Sequence, residues 1–135
     1  VELPSGRVLS YPGIGLSVEI EVDEDTGKEN KRTKIKYQGE NQTTRQWQTL
    51  YTYGGKLSEN VTQALCRDLL ANAMLNVDEN GYPIVLHVHD EIITEVPNAL
   101  EYNVKVLEQL MCALPDWAEG FPLAAEGAEM LRYAK

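Results

Sequence analysis

No stretch of this sequence stays apolar for the ~20 residues that a membrane-spanning helix needs, and no secretory leader pattern opens it. A membrane role is not expected. Cysteine is scarce: Cys66 and Cys112 are the two present, each inside an apolar helical pattern and without zinc-ligand spacing. They are expected to be buried, reduced thiols, which makes a reducing cytoplasm the expected location. Internal repeats, low-complexity tracts and linkers are missing too, so the 135 residues read as one compact domain with its own core. The first residue is Val1 rather than methionine, so a segment of a longer protein is expected.

Basic charge is missing from one half of the chain. Residues 1–67 carry nine Lys/Arg and nine Asp/Glu, whereas residues 68–135 carry three and twelve. That acidic half repels phosphate, so the chain alone is expected to bind nucleic acid poorly. A nucleic-acid function would need metal ions or basic surface supplied from elsewhere.

What is present is an ordered series of elements. Residues 1–53 are β-rich: Pro4-Ser5-Gly6 signals a turn, Val8 to Tyr11 a short strand, and Leu16, Val18, Ile20 and Val22 alternate along one strand face. Thr33 to Tyr37 alternates again, predicting a hairpin whose tip is the charged run Asp23 to Gly27. That tip lacks the glycine and terminal glutamate of a calcium loop, so a solvated turn is preferred. Gln46 to Tyr53 is a further strand. Gly54-Gly55-Lys56 is not a phosphate loop, because Leu50 and Leu57 stand where glycine and Ser/Thr belong.

Residues 57–77 form the clearest helix, with Leu57, Val61, Leu65 and Leu69 on one stripe and Gly81 beyond its end. Residues 82–96 read as a tight hairpin. Residues 98–114 read as a second helix, capped by Asn98 with Glu101 in the capping-box position and stopped by Pro115. Residues 122–135 hold a last strand, Pro122 to Glu126, and a tail. The expected fold class is α+β: a small antiparallel sheet with two main helices on one face and the hairpin central in the sheet.

The chemistry is concentrated in that hairpin. Two adjacent carboxylates, Asp90 and Glu91, sit in a strongly apolar strand pair, where desolvation and mutual repulsion both disfavour two anions. A divalent cation would compensate. Hard carboxylate oxygens suit magnesium, and paired metals can stabilise the attacking and leaving oxygens of a phosphoryl transfer. Two other readings stay open at this point. The turn could be a solvated polar turn without chemistry. Alternatively His87, His89 and Glu91, at strand spacing, could form a transition-metal site of a small hydrolase. The preceding helix adds Asn60, Gln63 and Arg67 in one polar stripe, groups able to donate to minor-groove acceptors and phosphates.

Four stretches in this order resemble the family-A, polymerase I-type DNA polymerases, especially their phage and prophage branch. They are Leu3-Pro4-Ser5-Gly6-Arg7; Tyr53-Gly54-Gly55-Lys56-Leu57-Ser58-Glu59-Asn60 through Gln63-Ala64 and Arg67-Asp68; Val88-His89-Asp90-Glu91 with Glu95-Val96-Pro97; and Leu123-Ala124-Ala125-Glu126-Gly127 with Arg132-Tyr133. The resemblance covers essentially the whole chain and implies a C-terminal palm portion containing motif C. It implies Asp90 as a catalytic metal carboxylate, with Glu91 as its accessory neighbour and Mg2+ or Mn2+ as cofactor. It implies DNA contacts from His89 at the primer end and from Gln63, Arg67 and Asn60 at the primer-template. The implied partners are primer-template DNA, dNTPs and an upstream segment carrying motif A, fingers and thumb. No candidate for the motif A aspartate or the fingers helix occurs in this sequence, so the chain alone is expected to be inactive. The remaining alternative within this resemblance is a non-catalytic prophage remnant or DNA-binding subunit.

Overall fold

The computed structural model describes residues 1–22 and 29–133. The charged run 23–27 lies outside the described residues. The fold class is α+β, with two antiparallel sheets and two helices. By internal contacts the chain divides into two compact units, Val1–Gln63 and Ala64–Lys135.

The first unit is built on a three-stranded meander of β1 (Gly15–Val22), β2 (Glu29–Glu40) and β3 (Trp47–Thr52). The Pro4-Ser5-Gly6 turn forms as expected, with Gly6 at φ 82° and its amide donating to the Leu3 carbonyl. The expected strand from Val8 is reduced to a single bridge between Glu2 and Val8. A turn at Tyr11–Ile14 diverts the chain before a ladder can extend. The apolar alternation of β1 is real, yet Leu16, Val18 and Ile20 remain 69, 60 and 55 % exposed.

Helix α1 (Gly54–Glu79) extends the expected helix at both ends. Its closure is a Schellman motif. Gly81 takes φ 82°, its amide donates to Asp78 O at 3.0 Å, and the Tyr82 amide reaches back to Val77 O at 3.2 Å. The accompanying apolar contact positions belong to Val77 and Tyr82, which are 0 and 4 % exposed. A left-handed glycine thus reverses the chain and launches the next strand from a buried anchor.

In the second unit that strand is β4 (Ile84–Val88), paired antiparallel with β5 (Glu91–Thr94). These two strands form a sheet of their own, with no third strand beside them among the described residues. The expected central position in a larger sheet is therefore not found, because the segment expected to provide the last strand, 122–126, is irregular. Nearby, the backbone amide of Gly127 binds the Glu108 carboxylate at 3.0 Å, and the Val104 amide binds Glu129 at 3.3 Å. The C-terminal segment is held to a helix rather than to a sheet edge. A Cβ on Gly127 would collide with a Val104 methyl, so glycine is what permits this approach.

Helix α2 (Val104–Met111) starts later than the sequence suggests. Asn98 and Glu101 lie in tight turns, with Ala99 N bonded to Pro97 O and Tyr102 N to Ala99 O. The true cap is Asn103, whose side chain accepts from Val106 N at 3.0 Å. Tertiary structure fixes that choice. The Tyr82 hydroxyl accepts from the Asn103 amide at 3.3 Å, and the Tyr82 ring meets Tyr102 edge-on at 5.4 Å. Asn72 and Asn76 on α1 donate to the Ala113 carbonyl, at 3.0 and 3.5 Å, at the other end of α2.

The apolar core is thin. Leu69, Ala73, Val77, Tyr82 and Ala118 are buried in the second unit, and Val77 alone among the described residues is fully buried. Both cysteines are free as expected, but Cys66 is exposed and Cys112 only half-buried. Cys66 is in helical phase with the buried stripe of Leu69, Ala73 and Val77, so its place on the helix face does not by itself bury it. No helix among the described residues is long and apolar enough to cross a membrane.

Candidate functional site

The β4–β5 hairpin closes with a two-residue loop, His89-Asp90, between the paired residues Val88 and Glu91. Its backbone is unusual. His89 has φ 54°, and Asp90 is not in the positive-φ region. Positive φ at the first central position alone is the pattern of a type II′ turn, where glycine is the favoured residue. A histidine there carries local strain of about 1–3 kcal/mol, a feature that clusters at functional sites.

The turn presents Asp90 to solvent, with Glu91 half-buried behind it. The two carboxylates are not trapped in an apolar interior, contrary to the expectation from the apolar strand pair: Val85 and Leu86 on β4 are themselves 57 and 47 % exposed. What orders Glu91 is a hydrogen bond. The Tyr133 hydroxyl donates to Glu91 Oε2 at 3.0 Å, leaving Asp90 as the forward carboxylate. The quoted Arg132-Tyr133 pair marks this residue in the sequence, but nothing in its spacing reveals that it reaches back 42 positions.

The register also separates the residues of the hydrolase reading. His87 pairs with Ile92 and Val88 with Glu91, so His87 lies on the face opposite Glu91. His89 sits in the turn, outside the strand alternation assumed for it. Among the described residues no three His, Cys, Asp or Glu side chains gather to hold a metal. A bulge at Val85, where the register shifts between Ile84 and Leu86, further twists the strand leading into the turn.

On α1, Gln63 and Arg67 are exposed and one turn apart, as the polar stripe requires. Asn60 is different. It is half-buried and its side-chain amide donates to the Tyr11 hydroxyl at 3.0 Å. That bond gives Asn60 a role within the first unit, and Tyr11 in turn packs edge-on against Tyr37 at 5.2 Å.

Comparison with known proteins adds an independent observation. The chain is 42 % identical over 127 residues to a DNA polymerase of Bacillus phage SP02. This stretch is 94 % of the chain but 18 % of the phage protein. With eight residues at most outside the matched stretch, the hairpin and α1 both fall inside it. No family model matches the chain, and no solved structure matches it.

Proposed function

We propose that this chain is the C-terminal palm portion of a family-A DNA polymerase, with His89-Asp90-Glu91 as its motif C turn. The similarity to the phage polymerase over a stretch that includes the turn carries this reading. The strained His89 backbone supports it, since φ 54° is maintained where glycine would relax. In the complete protein the reaction is template-directed addition of deoxynucleotides to a primer 3′ end.

The residues present fit a divalent cation in part. Asp90 offers an exposed, hard oxygen donor, and Glu91 is a second carboxylate at the next position, oriented by Tyr133. Bound Mg2+ or Mn2+ would supply charge stabilisation at the attacking and leaving oxygens. In this reading the chain's residues would hold and orient: Asp90 would hold the cation with Glu91 as its accessory neighbour, His89 would meet the primer end, and Gln63 and Arg67 would meet the primer-template. Two metals need a further carboxylate, which we assign to an upstream segment together with the fingers that bind the dNTP phosphates.

The test is reconstitution of this chain with the upstream polymerase segment, followed by magnesium-dependent primer extension. Extension is expected from the pair and not from the chain alone, and Asp90→Asn is expected to abolish it without altering the circular dichroism spectrum. Full extension by the Asp90→Asn protein would overturn the assignment.

A further inference from the structure

We infer that one face of the β1–β2–β3 sheet is a binding surface for single-stranded nucleic acid, separate from the motif C turn. The register brings its parts together. Lys36 pairs with Tyr51, Gln38 with Thr49 and Glu40 with Trp47; on the other side Lys34 pairs with Ser17 and Arg32 with Glu19. Directly paired residues share a face. Arg32, Lys34, Lys36 and Gln38 therefore line the central strand beside Trp47 and Tyr51 on its neighbour.

The two rings are presented rather than packed. Trp47 is 67 % exposed and Tyr51 57 %. They stand four residues apart on one strand, about 13 Å, so each takes its own base. The Lys34 ammonium lies 5.9 Å from the Tyr51 ring centroid and also pairs with Glu19, which fixes it at the ring. Arg45 reaches Glu40, the carboxylate opposite Trp47, at 3.4 Å, which reduces the negative charge at that end. The chain as a whole carries -9, yet this face gathers three cations on one strand.

Aromatic planes flanked by Lys and Arg match the chemistry of an unpaired strand: bases stack on the rings and phosphates meet the cations. A duplex hides its base faces, so it cannot use Trp47 and Tyr51 in this way. The inference does not require Asp90 or a metal, and its failure would leave the polymerase reading untouched.

The test is fluorescence anisotropy of a labelled oligothymidine of about 12 nucleotides against the full chain, at low salt and with EDTA. We expect metal-independent binding that weakens steeply with salt and that unlabelled single strand displaces far better than duplex. Trp47→Ala and Tyr51→Ala should each weaken it about tenfold, and Lys36→Glu should weaken it while flattening the salt dependence. Trp117→Phe, which leaves Trp47 as the sole tryptophan, should retain binding and report it by quenching. Unchanged affinity in both aromatic variants, equal competition by duplex, or no binding by the unaltered chain would each overturn the inference.

Discussion

Replacing His89 by glycine separates the backbone role of the turn from its side-chain role. The structure holds His89 at φ 54°, a region that costs a side-chain-bearing residue about 1–3 kcal/mol and glycine almost nothing. Glycine also widens the unfolded ensemble, at about 0.4–1 kcal/mol. The balance favours the His89→Gly protein by roughly 0–2 kcal/mol, a rise in Tm of up to several degrees for a chain of this size. His89→Ala removes the same imidazole and keeps the strain, so it should show no such rise, and β-branched His89→Val should fall below both. The assay is thermal melting of the three variants, with amide exchange at Val88 and Glu91 reporting the hairpin itself. In the reconstituted polymerase, His89→Gly and His89→Ala should lose primer extension alike, because both lack the imidazole that we propose meets the primer. A glycine variant less stable than the alanine variant would refute the strain argument. A glycine variant with full extension would refute the role given to the imidazole.

Other expectations follow from neighbouring contacts. Tyr133→Phe removes the donor to Glu91. It should cost about 1 kcal/mol and slow extension less than Asp90→Asn does; a slowing as large as that of Asp90→Asn would place Tyr133 at the chemistry rather than behind Glu91. The Glu108 carboxyl is held below the usual glutamate range, first by the hydrogen bond from Lys105 and then by the Gly127 amide, against a smaller opposing effect of burial. A carboxyl lowered in the folded state contributes stability above its unfolded pKa and loses it as pH falls through the folded one. The Gly127 amide resonance should therefore shift on acidification with a midpoint below the ordinary glutamate value. Lys105→Ala should raise that midpoint, and a midpoint at or above the ordinary value would contradict the contact.

Local pattern made much of this molecule legible. Alternation marked β1 and the middle of β2, Gln46 to Tyr53 was legible as a further strand, a four-residue stripe marked α1, and Gly81 marked its end because only glycine enters the left-handed region without penalty. The α+β class followed from those elements. The reading failed where two local signals were equivalent and a distant contact chose between them. Asn98 and Asn103 are both acceptable caps, and the Tyr82 hydroxyl selects Asn103. Pro122 to Glu126 reads as a strand in isolation, but the C-terminal segment is held to α2 through Glu108 and Glu129.

The candidate site divides in the same way. The sequence by itself determined that two adjacent carboxylates lie at a tight turn, since only a tight turn fits between the β-forming runs Tyr82 to His89 and Glu91 to Val96. Only the tertiary structure decided what surrounds them. It opened Asp90 to solvent, bound Glu91 to Tyr133 across 42 positions, turned His87 to the opposite face and tied Asn60 to Tyr11. Spacing along a chain specifies which side chains are near in sequence. Strand register and the hydrogen bonds of distant residues specify which of them can act together.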